Sequence, residues 1–402
     1  MKKKEGVIIS LFMIVLLLTI TGCEYDVAEP QWDKPHTDPA SPVITAVEPA
    51  NAALPGYNRI KIIGQNFAEN TGDNKVYFNS TAVEVLESSK TSITVRRPNL
   101  VTDSATIKVV SYDALLVVQT GPYKIFPVHN RYGTFVENAQ LSIIAVDKSE
   151  NVYVIQRLPR SVIKITPDGT QTIIGETSRI VTDAKIDRDG KLVLLMNYRR
   201  PGKMDLDTGE EVEMLDVGKA VSFGDFDSDG NMYVGGRRSD LIIIAPDLTK
   251  KNLGGVYASD EILCVRVFNG YVYLLVTAAS PDEQNPELAI WRHQILDATG
   301  ALGAKELILD WANTGEFAAT APRNFTFDAN GLMYIGTEHA QPIMILNPED
   351  KTQDILYKDI LPSFSEQLVW GAGNNLYMLL GGAEWNIVRI DMGQPGAPYF
   401  GR

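Results

Sequence analysis

A repeat of about forty residues is the feature of this 402-residue sequence that most constrains its fold. Gly190, Gly230 and Gly270 recur at this interval, each at the turn between a short apolar segment and a second segment that contains valine, leucine or tyrosine. Glycine suits such a turn because it tolerates positive φ at little cost. About forty residues is also the usual length of one blade of four antiparallel strands. The repeat therefore predicts four-stranded sheets arranged radially about an axis.

Six units can be recognised, and they begin near Ile144, Ala184, Gly224, Val265, Asn324 and Leu368. A longer interval before the fifth unit is explained by an insertion around residues 279–307. We therefore predict an all-β fold with a six-bladed β-propeller over residues 126–402. Little sequence follows Asp391, so we expect Thr134–Glu137 to supply the last strand of the sixth blade, because a closed ring leaves no exposed sheet edge. The apolar strand, Asp-x-x-Gly turn and aromatic strand of each unit resemble the NHL-type six-bladed propellers.

A second periodic region precedes the repeat. From Pro42 apolar and polar residues alternate in about seven short segments, as in Arg59–Gly64, which predicts an immunoglobulin-like β-sandwich over residues 42–125. The run Ile62-Ile63-Gly64-Gln65-Asn66-Phe67, followed by Val76-Tyr77-Phe78, resembles the IPT/TIG domain. That resemblance implies a spacer or interaction module, without enzymatic activity.

The N-terminus predicts an exported, lipid-anchored protein. Residues 1–22 combine a basic start with the apolar run Val7–Ile20, which is shorter than the roughly 20 residues of a membrane-spanning helix and fits a signal peptide. The end of this run, Leu18-Thr19-Ile20-Thr21-Gly22-Cys23, resembles the bacterial lipobox and implies acylation of Cys23. Residues 23–41 are rich in proline and acids and predict a flexible tether. An acidic stretch after the cysteine also resembles surface lipoproteins of Bacteroidetes, so we expect an outer-membrane lipoprotein at the cell surface or facing the periplasm.

Net charge limits the classes of partner that we expect, and cysteine content limits the possible disulfides. The formal net charge of −13 repels phosphate backbones, so we do not expect nucleic acid as a partner, and contact with a membrane must come from the lipid. Cys264 lies in an apolar run, in a different module from Cys23. We therefore predict a buried thiol and no disulfide.

No arrangement of residues predicts a cofactor or a metal. The four histidines are scattered, and no nucleophile or zinc motif is present. Asp225–Gly230 imitates the start of a calcium loop, but the twelfth position is Gly236 where an EF-hand needs glutamate, so we interpret the segment as a hairpin turn. An enzymatic alternative stays open, because some six-bladed propellers are lactonases or lyases whose metal is held by channel acids. Asp183, Asp225 and Glu366 are the candidates here, with solvated loop acids as the simpler interpretation.

Loops on one propeller face predict a binding surface. They carry basic and aromatic residues, which bind carboxylates or sulfates and stack on sugar rings. The predicted ligand is a glycan, with an acidic envelope protein as another candidate, and the simpler interpretation is that the arginines only pair with neighbouring acids. The candidate ligand-binding residues are Arg157, Tyr198, Arg199, Arg237, Arg238, Arg323, Asn324, Glu338, His339 and Trp385, and the same loops also contain Arg160, Arg200 and Glu384.

Overall fold

The computed structural model describes residues 40–112, 116–136, 139–382 and 385–401. Within these ranges every regular element is a β-strand except three short 3₁₀ helices, Thr71–Asp73, Trp311–Asn313 and Gly315–Phe317. None of these helices has the length or apolar character that crossing a bilayer requires. The predicted leader, Cys23, the tether up to residue 39, Glu137 and Glu384 lie outside the described residues.

Two sheets form the N-terminal sandwich, as the alternating pattern predicts. Its core contains inward residues of both sheets, among them Ile60, Ile93, Phe78 and Ile107, all fully buried. The first sheet has the order Val43–Glu48, Arg59–Gln65, Ser92–Arg96, Val85–Ser89, and the second the order Ala52–Ala53, Val118–Ile125, Thr102–Ser111, Asn74–Phe78, Thr81–Val83.

Six four-stranded sheets follow and form the propeller, which confirms the predicted fold class. Blade 1 contains Leu141–Val146, Val152–Gln156, Ser161–Ile165 and Gln171–Glu176, and blade 2 contains Asp183–Ile186, Leu192–Leu195, Gly202–Met204 and Glu211–Glu213. Blade 3 contains Phe223–Phe226, Met232–Gly236, Ser239–Ile244 and Lys250–Asn252, and blade 4 contains Glu261–Phe268, Tyr271–Thr277, Leu288–Ile295 and Leu302–Asp310. Blade 5 contains Pro322–Phe327, Met333–Thr337, Ile343–Leu346 and Gln353–Ile355, and blade 6 contains Ser365–Trp370, Asn375–Leu380, Ile387–Asp391 and His129–Arg131.

The ring closes in blade 6. Its outermost strand comes from the N-terminal side, as expected, but the strand is His129–Arg131, which pairs with Ile387–Asp391. The prediction that Thr134–Glu137 supplies this strand is wrong. The outermost strand of a blade is largely exposed, so its polar sequence carries no apolar alternation that would mark it. The first strands of blades 1 and 6 contact each other and complete the ring.

An aspartate organises the first turn of several blades. Asp227 Oδ1 accepts hydrogen bonds from the backbone amides of Asp229 and Asn231, at 2.9 and 2.8 Å. Its Oδ2 accepts from Asn231 Nδ2 at 2.8 Å and from the Tyr233 hydroxyl at 2.9 Å. Asp147 makes the equivalent bonds in blade 1. The segment that imitates a calcium loop is therefore a hairpin turn in which both oxygens of Asp227 are occupied by protein donors.

The sandwich is docked on the propeller. Asp354, at the outer strand of blade 5, accepts from Arg59 at 2.7 Å and from Arg96 at 2.8 Å. Asn58 Nδ2 donates to the Ile355 carbonyl at 2.8 Å, and the Gly56 amide donates to the Tyr357 hydroxyl at 2.7 Å. The two modules are thus held together by ion pairs and by hydrogen bonds between side chains and backbone.

Candidate functional site

The first strands of the blades surround a channel along the propeller axis. At the end where these strands begin, the channel widens into a cavity of about 200 Å³. All six blades line this channel cavity, with Arg157 from blade 1, Lys185 from blade 2, Arg266 from blade 4, Arg323 from blade 5 and Glu366 from blade 6 as its main charged residues. At the other end only about 20 Å³ remains, beside Tyr399 and Gly401.

The C-terminal segment forms the floor of the channel cavity. The Tyr399 hydroxyl lies 2.9 Å from Thr326 Oγ1 and accepts from the Trp370 amide at 3.4 Å. The Tyr399 ring lies 3.7 Å from the guanidinium of Arg266, which also donates to the Pro398 carbonyl at 2.9 Å. Because this segment crosses the channel, the cavity opens on one face of the propeller only.

Two buried ion pairs lie along the channel. Arg266 donates to Asp225 Oδ2 at 2.8 Å, and Lys185 Nζ lies 2.6 and 2.7 Å from the two oxygens of Asp183. Burial raises the pKa of Asp183, and the charge of Lys185 only partly opposes this shift. Burial alone would lower the pKa of Lys185, but the charges of Asp183 and Asp225 outweigh it and raise that pKa. Lys185 is therefore a cation held between two acids.

The acids considered for a channel metal have other partners. Besides its cation, Asp183 accepts from the Gly224 amide at 3.1 Å, and Asp225 accepts from the Val267 amide at 2.9 Å. Each acid thus joins its own blade to the next. Glu366 lies 3.6 Å from Arg323 Nε. No group of three or more metal-binding side chains occurs within the described ranges. These residues fit structural ion pairs better than a metal centre.

Arg157 differs from the other cations of the channel cavity. It is half-buried and lines the cavity, yet no carboxylate pairs with it in the part of the chain that the structure describes. Its buried Nε has no hydrogen-bond partner there, which is also true of Arg266 and Arg323, so the missing carboxylate is what distinguishes Arg157. A partly desolvated guanidinium without a counterion favours an anionic partner, because burying an unpaired charge is costly.

Two other predicted residues also reach the cavity. Arg323 pairs with both Glu338 and Glu366. The Asn324 amide is used within the fold, where it donates to the Leu368 carbonyl at 3.0 Å and accepts from the Leu368 amide at 2.9 Å. Asn324 thereby ties blade 5 to blade 6.

The basic loops of blade 2 are paired with acids. Arg199 lies 2.8 Å from Asp216, and Arg200 lies 3.0 Å from Glu213. The guanidinium of Arg179 lies over the ring of Tyr198, 3.9 Å from the ring centroid. Here the simpler interpretation, pairing with neighbouring acids, describes the arginines.

The remaining predicted residues lie around the same face. Arg237 and Arg238 are exposed, and neither side chain has a charged partner within the described ranges. His339 Nδ1 accepts from the Gln341 amide at 3.0 Å, and the ring packs on Phe317. Trp385 is half-buried against the core between blades 1 and 6. The structure therefore brings only Arg157, Arg323 and Asn324 together at the cavity, with Glu338 beside Arg323.

The sequence pattern missed three residues that build the cavity, namely Lys185, Arg266 and Tyr399. A usable indication existed for the first two, because each is a basic residue in the interior of a first strand that is otherwise mainly apolar. Cys264 also lines the cavity. Burial raises the pKa of its thiol to about 12, so it is not a ready nucleophile and fits the predicted buried role.

Fold and cavity together define a two-module architecture, an immunoglobulin-like sandwich docked on a six-bladed propeller with a blind central cavity. Residues 42–125 match the IPT/TIG domain family, which confirms the resemblance seen in the sequence. The NHL-type resemblance of the propeller stays a prediction. No curated protein matches the chain in sequence.

Solved structures share the fold at low sequence identity. An auxiliary nutrient binding protein from Bacteroides ovatus is 12% identical, with a TM-score of 0.51, over 87% of this chain and 97% of that one. An auxiliary nutrient binding protein from Bacteroides thetaiotaomicron is 12% identical, with a TM-score of 0.52, over 88% of this chain and 98% of that one. A gluconolactonase from Xanthomonas campestris is 12% identical, with a TM-score of 0.50, over 74% and 91%. These likenesses concern the fold.

Proposed function

We propose that this chain is a cell-envelope binding protein that holds an acidic glycan unit in the channel cavity and performs no chemistry on it. The observation that carries the proposal is the guanidinium of Arg157, which lines the cavity without a carboxylate partner among the described residues. Arginine binds carboxylates and sulfates bidentately, so an acidic sugar supplies the missing counterion. The ligand enters as a terminal unit, because Tyr399 closes the far end of the channel.

The fold neighbours support a binding role in general terms. Two of them are described as auxiliary nutrient binding proteins of Bacteroides species. A gluconolactonase shares the propeller as well, but the acids that a channel metal would need here are each paired with a cation. We therefore favour binding over catalysis, and over a purely structural scaffold for other envelope proteins.

The anchor completes the proposal. Cys23 would carry the lipid and hold the protein at the outer membrane, on the cell surface, and the tether would extend the two modules from the bilayer. Labelling cells with a fatty-acid analogue tests this directly. The wild-type protein should incorporate label and Cys23→Ser should not, whereas equal labelling of both proteins would remove the anchor from the proposal.

The ligand proposal is tested by affinity electrophoresis and calorimetry against uronate-containing, sulfated and neutral glycans. We expect retardation by an acidic glycan, and a loss of at least about tenfold in affinity for Arg157→Gln, since a charge-assisted bidentate contact contributes roughly 1.5–3 kcal/mol. Arg200→Gln is the matched control, because that arginine is on the same face but paired with Glu213. Binding that Arg157→Gln and Arg200→Gln weaken equally would place the site elsewhere.

Metal content separates binding from the enzymatic alternative. For a binding protein we expect no stoichiometric divalent ion after purification, and glycan affinity that is unchanged by chelator. A bound metal that disappears in Asp183→Ala or Glu366→Ala would instead support a lactonase or lyase.

A further inference from the structure

A groove runs along the propeller face opposite the channel cavity. One part, of about 630 Å³, lies between blades 4 and 5, beside the hairpin turn at Asn269. The other part, of about 450 Å³, lies between blade 5 and the sandwich. Both parts are lined by Leu332 and Asn347, so they adjoin each other, and together we call them the junction groove.

Aromatic side chains line both ends of the junction groove. Phe268, Tyr271 and Phe400 lie at the blade 4 end, and Tyr57 of the sandwich lies at the other, with 46% of its surface exposed. Phe268 is held in place, because its ring stacks on the buried ring of Phe327 at 4.7 Å. Fixed, partly exposed rings at separated positions suit a ligand that presents several flat apolar faces in a row.

The charges of the junction groove are balanced. Arg292 is bound by both oxygens of Glu306, each at 2.9 Å, and by Glu349 at 3.2 Å. At the sandwich end Arg59 pairs with Asp354 at 2.7 Å. Each cation in the groove therefore already has an acid, in contrast to Arg157 in the channel cavity. This balance favours an uncharged ligand.

Two backbone groups beside the groove are already bonded and cannot pair with a peptide. Asn58 of the sandwich donates to the Ile355 carbonyl at 2.8 Å and accepts from the Tyr357 amide at 2.8 Å, which caps the end of the outer strand of blade 5. A peptide adds to a sheet through such edge groups. Side-chain groups also line the groove, such as the exposed side-chain amide of Asn269. Amides of this kind suit hydroxyl groups.

We infer that the junction groove binds an extended, neutral glycan chain, and that the sandwich forms one wall of this second site. Sugar rings would stack on the aromatics at its two ends, and their hydroxyls would bond to Asn269 and Asn347. The inference does not depend on the channel cavity being a binding site, because different residues on the opposite face carry it.

Affinity electrophoresis of the full-length protein in gels containing neutral polysaccharides (a β-glucan, a mannan, a xylan and an α-glucan) tests the inference. We expect retardation by at least one of them. Tyr57→Ala and Tyr271→Ala should each weaken binding about three- to tenfold, the range that corresponds to loss of one aromatic contact. Tyr112→Ala is the matched control, because Tyr112 is 71% exposed on the sandwich and does not line the groove.

The outcomes for the two sites are distinguishable. Arg157→Gln should leave binding of the neutral polysaccharide unchanged, while Tyr57→Ala should leave binding of an acidic glycan unchanged. The inference is overturned if no neutral polysaccharide retards the protein, or if Tyr57→Ala and Tyr271→Ala bind as wild type. It is equally overturned if Tyr112→Ala weakens binding as much as they do, or if binding of the neutral polysaccharide is lost in Arg157→Gln.

Discussion

Arg266 and Asp225 form an ion pair that is buried on all sides, with Nη1 of the arginine 2.8 Å from Oδ2 of the aspartate. The two side chains are 2% and 1% exposed. The pair joins the first strands of blades 3 and 4, and the arginine also holds the C-terminal segment through the carbonyls of Ala397 and Pro398. It therefore connects the ring of blades to the floor of the channel cavity.

Removing one partner of this pair should be strongly destabilising. We expect Asp225→Ala to lower the free energy of unfolding by about 3–5 kcal/mol, because it leaves a buried guanidinium without its counterion. The double variant Asp225→Leu with Arg266→Met should be more stable than Asp225→Leu alone or Arg266→Met alone, because neither charge of the pair then remains buried. Denaturant unfolding measures both. Arg200→Ala, which breaks an exposed pair with Glu213, is the control and should change little. A double variant that is less stable than both singles would contradict this account.

The turn that Asp227 organises in blade 3 leads to a second prediction. Asp227 is 2% exposed and accepts four hydrogen bonds, so Asp227→Ala should cost about 2–4 kcal/mol by leaving buried donors unpaired. Asp247→Ala removes a similar but exposed turn and should cost clearly less. Because both oxygens of Asp227 are occupied by protein donors, calcium should not shift the melting temperature of the wild type. A calcium-dependent rise that Asp227→Ala abolishes would show that the segment is a metal site after all.

The architecture was predictable because its determinants are local and repeated. Gly190, Gly230 and Gly270 all have positive φ, between 73° and 91°, so a turn that needs glycine recurs at the interval seen in the sequence. The sandwich core follows the alternation of residues such as Ile60 and Ile62. In both cases a short segment is sufficient to define the element.

The site was less predictable because it depends on contacts between distant segments. Arg199 was a candidate ligand residue, yet Asp216, which pairs with it, follows the outermost strand of the same blade. The channel floor depends on Tyr399, whose segment has no periodicity. Arg266 is a charge inside an apolar strand, but its role needs a carbonyl 132 residues away. Which arginine of the channel cavity stays without an acid among the described residues, here Arg157, emerges only from the folded chain.

The junction between sandwich and propeller should weaken in acid. Burial alone would raise the pKa of Asp354, but hydrogen bonds from Arg96 and Arg59 outweigh it and hold that pKa below its ordinary value. A lowered pKa in the folded protein means that the pair stabilises the protein above the ordinary pKa, near pH 4, and that this contribution is lost as the pH falls through the folded value.

Comparison of Asp354→Asn with wild type isolates this contribution. At pH 7 we expect the variant to be less stable by an amount between the roughly 1 kcal/mol of an exposed pair and the roughly 3–5 kcal/mol of a buried one. The difference between the two proteins should shrink as the pH is lowered from 5 towards 2.5, as judged from denaturant midpoints. Asp103→Asn, in an exposed pair with Lys124, is the control. A difference that stays constant over this range would mean that Asp354 does not act through its charge.

The reactivity of Cys264 should report whether the C-terminal segment closes the channel. The thiol lines the channel cavity, is 7% exposed, and has a pKa that burial raises to about 12, so in a Cys23→Ser background it should react very slowly with a thiol reagent at pH 8. Tyr399→Ala removes the side chain that separates the cavity from the opposite face. We therefore expect faster modification in this variant, and no change in Tyr112→Ala. Urea distinguishes the cause, because modification through a local opening is nearly independent of low urea concentrations, whereas modification through global unfolding accelerates steeply. If Cys264 reacts as slowly in Tyr399→Ala as in the protein with Tyr399, the blades alone shield the thiol. Tyr399 would then not control access of the reagent to the channel cavity.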